Sequence, residues 1–186
     1  MNPEMRWEKI SQETIVNSPW IRVNNNCYKL PNGHEVKDYF IVEKPDVVII
    51  IPFTENNETY LIQEWERGVE EIGFKFPAGR VNKNELPALA AQREFEEELG
   101  ISVESQNLQY LGSSDVEPGF MPTKAHYFLA RVKNSIIDES EREQSELFIG
   151  SWTSWQQIQL RIQKNEIHNP FIIIGASFVD SYLKNI

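Results

Sequence analysis

A short acidic helix with clear end signals is the feature that most constrains the fold. Pro87 suits the first turn of a helix, and Gly100 suits the residue just past its last turn. Between them the apolar side chains recur at helical spacing, at Ala88, Ala91, Phe95 and Leu99. The pattern predicts a helix that buries this stripe against a core.

The run 93–98 places several glutamates near the C-terminal end of that helix. A solvated charged face is the ordinary explanation of such a run. At about 100° per residue, however, Glu94, Glu97 and Glu98 share one side, while Glu96 projects to the other flank. Three anions on one side repel one another and oppose the helix dipole, each effect costing up to about 1 kcal/mol. A divalent cation reverses both penalties, so the spacing predicts a Mg²⁺ or Mn²⁺ site beside the core, with Glu96 on the surface.

Strand patterns surround the helix. Alternating or continuous apolar residues predict strands at 20–30, 36–42, 47–51, 59–65, 108–111, 125–132 and 147–152. We expect two hairpins, one across Pro31-Asn32-Gly33 and one across Asn56-Asn57. Further helices are expected over 155–162 and from Asn169-Pro170 onward. Strands and helices in no regular βαβ order predict an α+β fold.

Composition excludes several classes of protein. The 186 residues include 18 basic and 28 acidic side chains, for a net charge of −10, which argues against a broad basic surface for nucleic acid or an anionic membrane. Cys27 is the single cysteine, so an internal disulfide and a multi-cysteine zinc site are excluded. The N-terminal residues lack the apolar core of a signal peptide. We therefore expect a cytoplasmic protein.

Residues 79–101 follow a longer pattern of fixed residues: Gly79, Glu85, Arg93-Glu94-Phe95-Glu96-Glu97-Glu98 and Gly100-Ile101. This segment resembles the signature of Nudix hydrolases, Gly-x5-Glu-x7-Arg-Glu-U-x-Glu-Glu-x-Gly-U, in which U is a bulky apolar residue. All fixed positions are filled, and Phe95 stands where an aliphatic residue is commoner. The resemblance implies an α/β/α sandwich with a mixed sheet and hydrolysis of a nucleoside diphosphate linked to another moiety.

The resemblance also implies roles for individual residues. The metal ligands would be one backbone carbonyl and three side chains: Ala78, Glu94, Glu97 and Glu98. A supporting set would hold the loop against the helix: Gly79, Glu85 and Arg93. The alternative for Glu85 and Arg93 is an ordinary surface ion pair, worth about 0–1 kcal/mol. An orienting role is favoured because a metal site needs fixed support around its ligands.

Shorter motifs are similar to the ADP-ribose and sugar-nucleotide pyrophosphatase branch of the family. They are Pro31-Asn32-Gly33, Pro45-Asp46-Val47-Val48, Gln63-Glu64-Trp65-Glu66-Arg67, Phe76-Pro77-Ala78-Gly79 and Pro118-Gly119-Phe120. Many members carry an acidic residue soon after the last motif, whereas this chain has Met121-Pro122-Thr123-Lys124. Arg67 is a candidate phosphate-binding residue because a guanidinium matches anionic oxygens, and Lys124 is a further candidate. An exposed arginine at a strand end is the alternative for Arg67.

The implied reaction is attack of water on one phosphorus of the diphosphate, with two or three divalent ions lowering the pKa of that water. A carboxylate then accepts the proton. In this branch the base often comes from an acidic loop, here 138–146, in which Glu143 is the first candidate and Glu146 the second. Glu97 is a third candidate, and Glu98 would share in catalysis as a ligand. A solvated loop is the alternative for most of these acids.

The N-terminal strands offer three aromatic side chains that could stack a base: Trp20, Tyr28 and Tyr39. Core packing is the alternative for each of them. The branch typically forms dimers through its N-terminal strands, so we expect a homodimer. We expect an N-terminal β extension over residues 1–43 and a Nudix domain over 44–186.

The first functional hypothesis is hydrolysis of ADP-ribose to AMP and ribose 5-phosphate. A second keeps the chemistry but changes the substrate to another nucleotide sugar, such as a GDP-hexose or UDP-hexose, or to a dinucleotide. A third is a non-catalytic nucleotide sensor with the same fold, against which the complete set of Glu94, Glu97 and Glu98 argues.

Overall fold

The computed structural model describes residues 3–133 and 148–185. The strands are β1 (Glu8–Asn17), β2 (Arg22–Lys29), β3 (Glu35–Glu43), β4 (Val47–Phe53), β5 (Glu58–Glu66), β6 (Glu71–Lys75), β7 (Ala78–Arg80), β8 (Leu108–Glu117), β9 (Met121–Arg131) and β10 (Phe148–Ser154). The helices are α1 (Pro87–Leu99), α2 (Trp155–Gln163) and α3 (Pro170–Leu183). The predicted α+β class is confirmed. Within the described ranges, none of the helices combines the length and the apolar character needed to cross a bilayer.

The chain divides into two compact units, Met1–Pro45 with Asp115–Lys124, and Asp46–Ser114 with Ala125–Ile186. The first unit contains the antiparallel sheet β1-β2-β3. The predicted hairpin between β2 and β3 is confirmed, and Gly33 at its turn has a φ of 86° that favours glycine. The sequence did not predict β1, because its ten residues are all exposed and show no buried face.

The second unit contains the sheet β7-β4-β9-β8, apart from the ends of β8 and β9 that fall within Asp115–Lys124, and the sheet β10-β5-β6. Strand β4 lies in the middle of the first sheet, parallel to β9 and antiparallel to β7. A core of apolar side chains joins the two sheets and α1: Val48, Ile50, Tyr60, Ile62, Ala91, Phe95, Leu99 and Phe128. The apolar run 47–51 is therefore a buried strand, as predicted.

The predicted hairpin between β4 and β5 is wrong. Strand β5 pairs with β10 and β6, and not with β4. Both edges of β4 are already occupied, by β7 on one side and β9 on the other. A turn at 54–57, closed by the Thr54 N–H to Glu58 carbonyl bond of 3.0 Å, carries the chain into the second sheet. The two strands therefore meet in the core, where Ile50 of β4 and Ile62 of β5 belong to the same buried cluster.

Helix α1 begins and ends where the sequence predicts. Pro87 occupies its first turn, and Gly100 caps it in the left-handed conformation with a φ of 64°. The apolar stripe needs one correction: Ala88 is exposed, whereas Ala90 is buried. The first turn, which includes the exposed Leu89, extends past the packed core. Periodicity alone therefore predicts which side of the helix is buried, but not where along the helix the burial begins. The predicted cap of α3 is confirmed, because Asn169 accepts the Phe171 N–H at 2.9 Å.

Candidate active site

The glutamates of α1 differ in burial, and the one that the helical projection places nearest the core is the most buried. Glu98, next to the core, is only 4% exposed. Glu94 is half-buried, and Glu97 and Glu96 are exposed. A carboxylate as buried as Glu98 requires partners, because an unpaired buried charge is costly.

Glu98 has partners on two strands of the second unit. Its Oε2 accepts the backbone N–H of Ala78 at 3.1 Å, and its Oε1 lies 3.8 Å from Nζ of Lys75. Lys75 also forms an ion pair with Glu64 of β5. Burial disfavours the ammonium, but the attraction of Glu98 and the hydrogen bond to Glu64 outweigh it and raise the pKa of Lys75.

Glu94 fills the space above Gly79. Its Oε1 accepts the backbone N–H of Arg80 at 3.0 Å. A Cβ built at Gly79 would overlap the Glu94 carboxylate, so a larger residue at this position of β7 would displace that carboxylate from its place against Arg80. The glycine of the signature therefore leaves room for Glu94, and does not serve an unusual φ.

Arg93 connects the loop before α1 to the acidic side of the helix. Its Nε and Nη2 donate to the two carboxylate oxygens of Glu85 at 3.0 and 3.1 Å, and Nη2 also donates to the Arg80 carbonyl at 2.9 Å. Its Nη1 donates to Glu94 at 2.8 Å and to Glu97 at 3.0 Å. The hydrogen bonds from Arg93 lower the pKa of Glu85, and Glu85 in turn raises the pKa of Arg93.

These contacts test whether the residues fit a divalent cation. Over residues 3–133 and 148–185, no three acidic, histidine or cysteine side chains already converge on one ion position. Instead, Arg93 holds Glu94 and Glu97, while Lys75 lies beside Glu98. Positive charge is thus already drawn to these oxygens, and carboxylate oxygens are the ligands that Mg²⁺ and Mn²⁺ prefer. The carboxylates of Glu94, Glu97 and Glu98 therefore suit such an ion, provided that Arg93 and Lys75 move away from them.

A pocket of about 290 Å³ begins at this edge of the second unit, with Lys75, Ala78 and Gly79 in its wall. A second pocket of about 410 Å³ has walls of largely apolar character. The two pockets share Glu66, Asn169 and Phe171 as lining residues, so they are neighbours on the second unit. Volumes of this size are typical of small-molecule sites.

The remaining predicted site residues lie in several places. Arg67 follows β5, and its side chain is 79% exposed, with Nη2 lying 3.7 Å from Oε1 of Glu64. In the first unit, Lys124 forms a 2.8 Å ion pair with Asp115, and Trp20 is 63% exposed. Tyr28 and Tyr39 contact each other edge to face, with ring centroids 5.5 Å apart, and both contact Trp7. Glu143 and Glu146 lie outside the described residues.

Sequence reasoning missed Lys75 and Glu64. The signature starts at Gly79 and ignores both residues. Ile62 pairs with Lys75 and Glu64 pairs with Gly73, so the two charged residues are diagonal neighbours on β5 and β6. Strand β6 was itself not predicted, and only the register of this pair could have revealed the contact.

Comparisons with known proteins agree with this fold. A family model described as "NUDIX domain" matches residues 43–173. The methanol dehydrogenase activator of Bacillus methanolicus is 30% identical over 122 residues, which are 66% of this chain and 64% of that protein. The ADP-ribose pyrophosphatase of Bacillus subtilis (strain 168) is 28% identical over 137 residues, 74% of this chain and 72% of that protein.

Two further similarities bear on the fold and the range of relatives. The CMP-5'-(N-acetyl-N-hydroxy-3-aminopropyl)phosphonate hydrolase of Streptomyces rubellomurinus (strain ATCC 31215) is 29% identical over 127 residues, 68% of this chain and 60% of that protein. The crystal structure of an ADP compounds hydrolase superposes with a TM-score of 0.78 at 19% identity, covering 97% of this chain and 95% of that one. This match confirms the predicted Nudix-like fold.

The fold and the acidic helix therefore define a Nudix-domain protein, and the chain belongs to the Nudix hydrolase family. Its resemblance to the ADP-ribose pyrophosphatase branch is confirmed by the relative from Bacillus subtilis. The matched segment spans 64% and 60% of the lengths of two of the three relatives.

Proposed function

We propose that this protein is a divalent-metal-dependent pyrophosphatase that cuts the diphosphate bond of a nucleoside diphosphate linked to a sugar. ADP-ribose is the first candidate substrate, with AMP and ribose 5-phosphate as products. The observation that carries the proposal is the group Glu94, Glu97 and Glu98 on one side of α1, of which Glu98 and Glu94 accept the backbone N–H groups of Ala78 and Arg80 in the wall of the 290 Å³ pocket. The similarity to the ADP-ribose pyrophosphatase of Bacillus subtilis supports the substrate class.

In this proposal Glu94, Glu97 and Glu98 hold Mg²⁺ or Mn²⁺ together with the Ala78 carbonyl. When bound, the ion neutralises diphosphate oxygens and lowers the pKa of the attacking water. The Glu85–Arg93 pair keeps the loop against α1, so that the ligand carboxylates stay in place.

The residues that bind the phosphates, and the residue that accepts the proton from water, are still predictions. Arg67 and Lys124 are the candidates for phosphate binding. Glu143, with Glu146 and Glu97 as alternatives, is the candidate that accepts the proton from water. A cytoplasmic location also stays a prediction of the sequence.

The test uses the purified chain with Mg²⁺ and ADP-ribose, and AMP is measured by chromatography. We expect hydrolysis by the wild type. Glu98→Gln should lower turnover about 10²–10³-fold, because it loses several kcal/mol of charge stabilisation while a glutamine oxygen still accepts the Ala78 N–H. The matched control is Glu96→Gln on the exposed flank of the same helix, which should change turnover little.

The outcomes separate the hypotheses. Without AMP from ADP-ribose, that substrate is rejected, and a panel of GDP-hexoses, UDP-hexoses and dinucleotides tests the broader class by coupled phosphate release. A sensor would instead be stabilised by ADP-ribose without consuming it. Equal losses in Glu96→Gln and Glu98→Gln would contradict the assignment of the ligand side of α1.

We also propose that the chain forms a homodimer through the N-terminal sheet. Strand β1 is exposed along its whole length and still carries apolar side chains at Ile10, Ile15 and Val16. Edge strands of this kind are usually covered, because they otherwise promote aggregation. A second copy of the same sheet would cover them.

A further inference from the structure

Lys75 is a charged residue beside the acidic helix that the family signature leaves without a role. It is the last residue of β6, and its side chain is only 22% exposed. The ammonium lies between two carboxylates, forming an ion pair with Glu64 and approaching Glu98 to 3.8 Å. Both carboxylates are more buried than the lysine, at 15% and 5% side-chain exposure.

The charges around Lys75 explain why a lysine is held there. Glu64, Glu66 and Glu98 all stabilise its ammonium electrostatically. A divalent ion on Glu98 would place a second cation on the same carboxylate, at a distance where like charges repel strongly in a partly buried site. Lys75 and a metal ion therefore compete for Glu98.

The position of Lys75 also gives it access to an anion. It lines the 290 Å³ pocket together with Ala78 and Gly79, which flank the carboxylates proposed as metal ligands. Its ammonium has three donors, and Glu64 does not use all of them. An anionic group in this pocket is within reach of a cation that is already fixed by β5 and β6.

We propose that Lys75 is an exchangeable countercation: it holds Glu98 in the metal-free protein and contacts the diphosphate of the substrate when metal occupies Glu98. This inference rests on the proposed function and adds a residue to it. It makes Lys75 a positioning residue for Glu98 in one state and a substrate contact in the other. Removing its charge should therefore have opposite effects on metal binding and on nucleotide binding.

The first measurement is isothermal titration of the metal-free protein with MnCl₂ alone. Lys75→Met should bind Mn²⁺ more tightly, by about fivefold, which is the upper range for a single partly exposed ion pair. Lys75→Arg keeps the charge and should stay near the wild type. Lys37→Met makes the same change at an exposed lysine of β3 and reports the general effect of one lost charge.

The second measurement is binding of a non-hydrolysable methylene analogue of ADP-ribose in saturating Mn²⁺. Here Lys75→Met should bind about tenfold or more weakly, since it loses a charge-assisted hydrogen bond. In turnover, KM should rise more than kcat falls. Lys75→Arg should recover most of the affinity, which a purely structural role for the lysine would not predict.

Tighter Mn²⁺ binding together with weaker analogue binding supports the proposal. Unchanged binding of both, or weaker binding of Mn²⁺ alone, overturns it while leaving the pyrophosphatase proposal intact. A wild type that binds neither Mn²⁺ nor the analogue overturns both proposals. If Lys75→Met fails to fold, Lys75→Gln carries the same expectations, because its amide can still donate to Glu64.

Discussion

Arg93 is the residue on which most of the site's geometry depends. A single guanidinium contacts Glu85, Glu94, Glu97 and the Arg80 carbonyl. The fork onto Glu85 uses two parallel N–H donors, the arrangement that gives arginine its specificity for carboxylates. The contacts to Glu94 and Glu97 satisfy anions that would otherwise repel each other at the end of the helix. Arg93 thus supports the loop and balances the charge of α1.

The Glu85–Arg93 pair makes a prediction about stability and pH. Because Arg93 lowers the pKa of Glu85 in the folded chain, the carboxylate binds protons less readily there than in the unfolded chain. Its contribution is complete above the unfolded value of about 4.3 and is lost as the pH falls through the lower folded value. The wild type should therefore melt at a higher temperature than Glu85→Gln by a constant amount near neutral pH. In acid the difference between the two melting temperatures should shrink. A gap that is unchanged at about pH 3 would contradict this account.

At the scale of the element, the stability of helix α1 depends on the glycine that caps its C-terminal end. Gly100 closes it with a φ of 64° and donates its N–H to the backbone carbonyl of Glu96 at 2.8 Å. Gly100→Ala should destabilise the protein by about 1–2 kcal/mol, the cost of an L-residue in the left-handed region. The comparison is Gly68→Ala, since a Cβ at Gly68 meets nothing within 4 Å and its φ is not left-handed. Denaturant unfolding measures both, and equal effects would contradict a specific role of the cap.

The elements also show which parts of the fold and site could be predicted. The limits of α1 follow from Pro87 and Gly100, and the burial of Glu98 beside the core follows from 3.6 residues per turn. Both properties are local. The partner of β5 could not be predicted in this way, because it depends on which edges of β4 are already filled by distant strands. The Glu64–Lys75 contact required the register of β5 and β6 for the same reason.

At the scale of the whole molecule, the exposed N-terminal sheet predicts an assembly. The chain of 21.7 kDa should sediment at about twice that mass if a second copy covers β1. Ile15→Lys places a charge on this 52% exposed position and should shift the population toward monomer, because a lone charge is costly in an apolar interface. Leu160→Lys on α2 is the matched control and should leave the mass unchanged. A wild type that sediments as a monomer would reject the dimer.

The placement of two cationic side chains among the acidic side chains has a consequence for the protein when no metal ion is bound. Arg93 and Lys75 hold the carboxylates of α1 through the chain's own charges. These ion pairs balance the carboxylates without any bound ion. In the proposed function, loss of magnesium would therefore stop the reaction and leave the folded chain intact.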